Sequence, residues 1–96
     1  MFFLCVMLYE LLLKIPKGKV VSYRELGRVL NIHPRYVARL LSLNKEIDKY
    51  PCYKVVHVDG RIGGYVLGSE EKVKRLKEEG VEFVDDRVRS FHRFQQ

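Results

Sequence analysis

The residues best suited to chemistry in this chain surround Cys52, in residues 50–56. Pro51 comes directly before the cysteine, and its ring fixes φ and disfavours helical backbone at the preceding residue. Val55 and Val56 follow closely, and β-branched residues favour a strand. The sequence therefore places Cys52 on a stiff, non-helical turn at the start of a strand, where its thiol is a candidate nucleophile.

The distribution of charge indicates what this thiol would act on. The 96 residues include 18 lysines and arginines and 12 acidic residues, giving a net charge of +6. Residues 14–54 hold ten basic and three acidic side chains, whereas residues 69–86 hold four basic and seven acidic ones. A one-sided positive field attracts polyanions, so DNA or RNA is the default partner. A solvated basic surface without a partner is the alternative.

The cysteines and the apolar start of the chain exclude several classes of protein. Cys5 and Cys52 provide neither metal-ligand spacing nor a disulfide framework, so we predict no cofactor and a reducing compartment, the cytoplasm with its nucleoid. Residues 1–13 are interrupted by Glu10, are too short to span a bilayer and lack a cleavage site. We therefore expect no membrane partner, a buried helix over residues 2–14, and Cys5 as an inert packing residue.

Two short helices joined by a tight turn are predicted next. Ser22 and Glu25 fit a capping box, in which Ser22 caps the second helix and Glu25 reaches back to its first amide. This helix should end near Leu30. Pro34 suits the first position of a third helix, over residues 34–43.

The third helix would present arginines to the outside. Val37, Leu40 and Leu41 repeat at helical spacing and should face inward, so Arg35 and Arg39 share an outer face one turn apart. A helical pair of this kind is a helix-turn-helix pattern. Taken alone, the pattern fits an ordinary helical hairpin about as well as a DNA-binding motif.

A β-hairpin is predicted after the cysteine. Residues 54–58 should form one strand, Asp59 and Gly60 a two-residue turn, and residues 61–65 the returning strand. Within the second strand, consecutive glycines would permit either close approach of a ligand or a tight bend.

The chain should end in a helix and a tail. Ser69 is expected to cap a helix over residues 70–79, and Gly80 to end it. Residues 85–96 are predicted to be a polar tail without function. The whole chain, residues 1–96, reads as one domain.

Several short motifs occur along the chain in a fixed order: Ile15, Pro16, Gly18, Val20, Ser22, Tyr23; Pro34, Arg35, Val37; Asn44; Pro51, Cys52, Val55, Val56; Gly60, Gly63, Gly64, Tyr65; Glu78, Glu79, Gly80. Over roughly residues 3–84 this order resembles the DNA-binding and active-site domain of O6-alkylguanine-DNA alkyltransferases, the methylated-DNA–protein-cysteine methyltransferases. The resemblance implies a mostly α-helical, winged helix-turn-helix-like fold with a small β-hairpin. We expect no separate N-terminal domain, as in the short alkyltransferase-like proteins, although those proteins replace the cysteine that this chain keeps.

The resemblance also implies roles for individual residues. Cys52 would accept the alkyl group, and Arg35 would enter the duplex and fill the gap left by an extruded guanine. Tyr23 would lie beside the flipped base, and Asn44 would brace the active-site turn. The DNA-contacting surface would further include Ser22, Pro34, Tyr36, Arg39 and Lys54. The base pocket would be formed by Gly63, Gly64, Tyr65 and Val66, with the backbone N–H of Val66 meeting the guanine oxygen.

One position departs from the family pattern, Pro-Cys-His-Arg-Val, in which the histidine relays a proton between the thiol and a glutamate. Here Tyr53 and Lys54 follow the cysteine, while Glu79 matches the glutamate. A phenol with a pKa of about 10 is a poor base for a thiol with a pKa of about 8.5, so the relay cannot operate unchanged. Lys54 or a helix N-terminus could favour the thiolate, or Tyr53 could hydrogen-bond Glu79 and merely hold the loop. His33 and His57 are less suitable bases, as a helix-start residue and a hairpin side chain.

Three functions are open on this basis. The first is transfer of an alkyl group from a flipped O6-alkylguanine in double-stranded DNA to Cys52, once per molecule, by a monomer without a cofactor. The second is a non-catalytic protein that flags such lesions for another repair pathway. The third is a helix-turn-helix regulator, in which Cys52 has no purpose. We favour the first, with a separate protein as a possible source of a missing domain or of downstream repair.

Overall fold

The computed structural model describes residues 2–94, and within them the fold is mostly helical with a small β-hairpin, as predicted. The α-helices are α1 (Phe2–Leu12), α2 (Tyr23–Leu30), α3 (Pro34–Leu41) and α4 (Ser69–Glu78), and a 3-10 helix covers Cys52–Lys54. The strands are β1 (Val21–Ser22), β2 (Val55–Val56), β3 (Phe83–Val84) and β4 (Arg87–Val88). None of the helices in this range combines the length and apolar character needed to cross a membrane.

The predicted helix-turn-helix is confirmed in α2 and α3. Ser22 caps α2, and its Oγ accepts a hydrogen bond from the Glu25 N–H at 2.9 Å. Asn31 ends α2 in the left-handed region, with φ of 58°. Pro34 occupies the first turn of α3, where its missing N–H costs nothing, and His33 Nδ1 caps the helix.

Two details of helix termination differ from the prediction. Glu25 does not return to the start of α2, because its carboxylate binds Arg28 at 2.7 Å and accepts the Phe94 N–H at 2.8 Å. Ser69 does not cap α4 but is its first residue, after Gly68 at the cap position with φ of 94°. Local sequence did not reveal the Phe94 N–H as a partner of Glu25, since it lies at the far end of the described chain.

The predicted hairpin over residues 54–65 is wrong. Strand β2 instead pairs in parallel with β1, with Val21 opposite Val55. Residues 61–65 do not form a strand. They follow a turn in which the His57 N–H donates to the Arg61 carbonyl at 2.8 Å. A parallel pair joins segments distant in sequence, so the short-range turn signal could not predict it.

Residues 85–94 belong to the fold and are not a polar tail. Strands β3 and β4 form an antiparallel hairpin across Asp85 and Asp86, whose φ values are 52° and 64°. Val88 is 3% exposed and Phe94 9% exposed, so both lie in the core. The last two residues of the predicted tail, like the first residue of the chain, lie outside the described range.

Helix α1 is buried on one face only, which corrects the prediction of a buried helix central to the core. Leu8 and Leu12 are fully buried, and the Tyr9 hydroxyl donates to the Leu40 carbonyl at 2.9 Å. Cys5 is half-buried against the core. The opposite side and the residue after the helix expose apolar side chains: Phe3, Val6, Met7 and Leu13.

Gly27 permits the close approach of α2 to the turn that follows it. A Cβ at this position would lie 2.6 Å from the backbone oxygen of Ile32, whose N–H donates to the Gly27 carbonyl at 2.9 Å. Because backbone must move, we expect Gly27→Ala to lower the free energy of unfolding by about 1–3 kcal/mol in denaturant titrations. Gly64→Ala is the control, since nothing lies within 4 Å of its added Cβ. Equal losses in both variants would contradict the prediction.

Candidate active site

A cavity of about 300 Å³ lies beside Cys52. Its lining combines α3, the start of α2 and the loop after β2: Tyr23, Ala38, Leu41, Ser42, Cys52, Gly64, Tyr65 and Val66. Cys52 itself is 6% exposed, but Ala38 on α3 and Ser42, the cap at the end of α3, are exposed, so the cavity opens beside the helix that carries Arg35 and Arg39. The sulfur is therefore not sealed in the interior.

The turn that carries Cys52 is held by hydrogen bonds on its N-terminal side. The Cys52 N–H donates to the Tyr50 carbonyl at 2.8 Å. Asn44, which is 5% exposed, donates from Nδ2 to the same carbonyl at 3.0 Å and accepts the Glu46 N–H at 2.9 Å. Asn44 thus joins the end of α3 to the active-site turn.

Tyr53 is a hydrogen-bond donor in this structure. Its hydroxyl donates to a carboxylate oxygen of Glu79. Burial, followed by this hydrogen bond and the charge of Glu79, raises the pKa of Tyr53 well above its ordinary value. A phenol that keeps its proton at neutral pH is not a base. The structure contains the hydrogen bond to Glu79 that one of the two hypotheses for this position supposed.

Glu79 is the centre of a buried polar cluster. Its carboxylate pairs with the Lys54 ammonium at 2.6 Å and accepts the Gly18 N–H at 3.2 Å, and Lys54 also donates to the Ile15 carbonyl at 3.2 Å. Burial raises the pKa of Glu79, but the hydrogen bonds from Lys54, Tyr53 and Gly18 outweigh it and lower that pKa overall.

The predicted roles of Lys54 are therefore wrong. Its side chain is 8% exposed and paired with Glu79, so it is not available to a DNA phosphate. Lys54 also does not line the cavity beside Cys52, and its charge is already neutralised. It is a structural residue.

The predicted DNA-contacting residues divide into exposed and buried ones. Arg35 and Arg39 are exposed, and together with His33 and Tyr36 they line a shallow groove on α3. Pro34 is half-buried at the start of that helix, by contrast. Ser22 is 6% exposed and its hydroxyl caps α2, which corrects its assignment as a DNA contact.

Two tyrosines form walls of the cavity. The Tyr23 ring packs against His57, with 5.1 Å between ring centroids. The Tyr65 hydroxyl is the one buried side-chain polar atom in residues 2–94 that has no hydrogen-bond partner. Gly63, with φ of 71°, supports this wall, because a Cβ there would lie 3.1 Å from the Tyr23 hydroxyl. Of the glycine pair, only Gly64 lines the cavity directly.

Sequence reasoning missed Lys72, which is completely buried in α4. Its ammonium donates to the carbonyls of Val55 at 2.6 Å and Gly64 at 3.0 Å and lies 5.8 Å from the centre of the Tyr23 ring. Burial lowers the pKa of Lys72 to about 8. In a helix rich in charged residues, a lysine is expected to lie in solvent. The one indication to the contrary in the sequence is that Lys72 lies one turn before Leu76 and so on the same face of the helix.

No cluster of three or more histidine, cysteine or acidic side chains suited to a metal ion occurs among residues 2–94. The site therefore offers a thiol, phenols, a buried amine and backbone amides. These groups suit attack by sulfur on an electrophilic carbon.

Comparison with known proteins agrees with this fold. A family model described as the 6-O-methylguanine DNA methyltransferase DNA-binding domain matches residues 5–81. The chain is 41% identical over 83 residues to a bifunctional methyltransferase/endonuclease of Picrophilus torridus, covering 84% of this chain and 28% of that protein.

Solved structures are similar as well. The O6-methylguanine-DNA methyltransferase of the archaeon Pyrococcus kodakaraensis matches with a TM-score of 0.75 and 40% identity, over 80% of this chain and 46% of that one. Atl1 of S. pombe, in complex with damaged DNA containing O6-carboxymethylguanine, matches with a TM-score of 0.75 and 27% identity, over 85% of this chain and 80% of that one.

The lengths of these proteins differ. The chain spans just over a quarter of the bifunctional protein and under half of the methyltransferase chain, but most of Atl1. The helix-turn-helix, the cysteine turn and the closing helix nevertheless fall within one continuous family match. The chain therefore belongs to the O6-alkylguanine-DNA alkyltransferase family.

Proposed function

We propose that this protein binds double-stranded DNA as a monomer, takes an O6-alkylated guanine out of the helix, and transfers the alkyl group to Cys52. The observation that carries this proposal is the position of the Cys52 thiol in a cavity that opens beside the arginine-bearing helix α3. A volume of about 300 Å³ is at the lower end of the range for small-ligand pockets and suits a single base.

The proposed reaction is a single displacement. Sulfur attacks the alkyl carbon, the S–C bond forms as the C–O bond breaks, and the electron pair remains on the guanine. The Val66 backbone N–H, in the loop that lines the cavity, is the proposed donor for the charge that develops on the guanine oxygen. The thioether product is stable, so each molecule would act once.

DNA would be held and opened by α3. A guanine inside the stack cannot reach the thiol, and extruding it costs a few kcal/mol. Arg35, exposed at the start of α3, would fill the gap, and Arg39 one turn later would contact a phosphate. Tyr23 and Tyr65 would flank the extruded base, because aromatic rings stack on bases.

A second function is a lesion-binding protein that does not transfer the group. It is favoured by Tyr53, which donates to Glu79 and so does not perform the proton relay of the family's histidine. A helix-turn-helix regulator is a weaker alternative, because it would leave Cys52 and its cavity without a purpose.

Intact-mass and peptide mass spectrometry distinguish these functions. After incubation with a duplex containing one O6-methylguanine, we expect the mass of one methyl group on the peptide that contains Cys52. The Cys52→Ala variant should gain no methyl group and still prefer the damaged duplex. The Cys5→Ala variant should react like the chain without substitutions. Preferential binding without methylation would support the lesion-binding protein, and absence of any preference would contradict both functions.

A further inference from the structure

The cavity beside Cys52 lacks the proton acceptor that its chemistry requires. Neither a histidine nor a carboxylate is among its lining residues, and Tyr53 holds its own proton. Of the two histidines considered as bases, His33 caps α3 through Nδ1, and His57 is an exposed residue whose ring packs against that of Tyr23. Another group must accept the proton of the Cys52 thiol.

Lys72 lies next to this cavity, because its ammonium donates to the Gly64 carbonyl at 3.0 Å and lies 5.8 Å from the centre of the Tyr23 ring, and both residues line the cavity. Its nitrogen has four bonding directions, of which one is the side chain and two point to the carbonyls of Val55 and Gly64. Val55 closes the 3-10 helix by donating its N–H to the Cys52 carbonyl, and Gly64 lines the cavity. The fourth direction holds either a lone pair that can accept a proton or a third N–H that can donate to a thiolate.

The electrostatics of this region favour a shared proton between the two residues. Lys72 is completely buried and takes part in none of the ion pairs found in residues 2–94. A buried ammonium without an anion is costly. Burial lowers the pKa of Lys72 to about 8, and a negative charge on Cys52 acts in the opposite direction. A thiolate at Cys52 would therefore supply the missing counter-charge.

The other titratable groups around the pair stay neutral. These groups are three tyrosines, on α1, at the start of α2 and in the cavity loop: Tyr9, Tyr23 and Tyr65. Burial is the largest cause that raises the pKa of each phenol, and the charge of Cys52 raises it further. The charge of Cys52 affects the pKa of these three tyrosines and of Lys72. Among these described groups, Lys72 is the one that can carry a positive charge.

We infer that Lys72 accepts the Cys52 proton and holds the thiolate as an ammonium–thiolate pair, in place of the histidine that the family uses. The inference rests on the proposed function, in which Cys52 is the nucleophile. The thiol proton passes to the amine, directly or through one water molecule, and the thiolate then forms the S–C bond. The ammonium finally returns the proton to the departing guanine, leaving a thioether, a neutral guanine and a neutral amine.

The test uses a reagent that needs no DNA, so it separates this inference from the proposed function. In a Cys5→Ala background, Cys52 is the one remaining thiol, and its rate of alkylation by iodoacetamide is measured as a function of pH. We expect the half-maximal pH of the reaction to be at least about one unit lower in this chain than in Lys72→Met, and the rate at pH 7 about tenfold higher or more. Lys74→Met, an exposed lysine on the same helix, is the matched control and should change neither value.

A second measurement distinguishes proton transfer from packing. Because Lys72 is buried, circular dichroism and thermal unfolding are first used to confirm that each variant is folded. In Lys72→Met, adding Tyr53→His should restore methyl transfer from O6-methylguanine DNA by about tenfold or more, whereas Tyr53→Phe should not. If Lys72→Met does not fold, the pH profile of the parent chain is decisive. A half-maximal pH at or above the ordinary thiol value of about 8.5 would overturn the inference, as would equal profiles for Lys72→Met and its parent.

Discussion

Replacing Glu79 by alanine is expected to lower the free energy of unfolding by about 3–5 kcal/mol, because it removes one partner of a buried ion pair. The variant leaves the Lys54 ammonium without a charge partner in a site where its side chain is 8% exposed. It also removes the acceptor for the Tyr53 hydroxyl and the Gly18 N–H. Denaturant titration followed by circular dichroism measures the effect.

The neighbouring residue provides the control. Glu78 is exposed in the last turn of α4, so Glu78→Ala should change stability by less than about 0.5 kcal/mol. A double variant, Lys54→Met with Glu79→Ala, should recover part of the loss, since it removes the unpaired charge as well. Similar losses for Glu78→Ala and Glu79→Ala would show that the buried pair is dispensable.

The same cluster predicts a dependence on pH. The pKa of Glu79 is lower in the folded chain than its ordinary value of 4.5, so its stabilising contribution is fully present above that value. The contribution is lost as the pH falls through the folded-state pKa. Stability curves of the parent chain and Glu79→Gln should therefore converge in acid and separate towards neutral pH.

Replacing Arg35 by alanine is expected to slow methyl transfer from duplex DNA by about tenfold or more, because the inserted side chain offsets part of the cost of extruding the base. A single-stranded oligonucleotide holding the same lesion has no stacked partner strand to disrupt. Its reaction should therefore slow by no more than about threefold. The readout is the rate of methylation of Cys52 under single-turnover conditions, with both substrates at the same salt concentration.

Arg39→Ala is the matched variant, one turn further along the same exposed face. A phosphate contact carries no information about the lesion, so this change should weaken binding to damaged and undamaged duplexes alike and reduce the salt dependence of affinity. If Arg35→Ala slowed duplex and single-strand reactions equally, Arg35 would be another phosphate contact and not the residue that enters the duplex.

Sequence alone predicted the parts of the fold that local chemistry controls. Ser22 at the start of α2, Pro34 at the start of α3 and the turn ahead of Cys52 are found where capping and proline geometry place them. Each of these signals depends on a few consecutive residues. The face of α3 that carries Arg35 follows in the same way from helical periodicity.

Most of the errors concern contacts between distant segments. Parallel pairing of β1 with β2 and the packing of Phe94 against Glu25 and Arg28 join opposite parts of the chain. Lys54 and Lys72 carry charge and are therefore expected at the surface, yet both are buried. Their partners, a carboxylate for Lys54 and two backbone carbonyls for Lys72, could not be predicted from the sequence.

Residues 91–94 pack against the rest of the fold although the family match does not reach them. The family match stops at residue 81, but the Phe91 backbone lies beside Val20, and the His92 N–H donates to the Val20 carbonyl at 2.7 Å. Phe94 then fills the core next to the helix-turn-helix. A fragment that ends at residue 81 would lose these contacts and expose the apolar side chains beneath them to water. We therefore expect the smallest self-sufficient unit of this protein to extend beyond residue 81, where the family match ends.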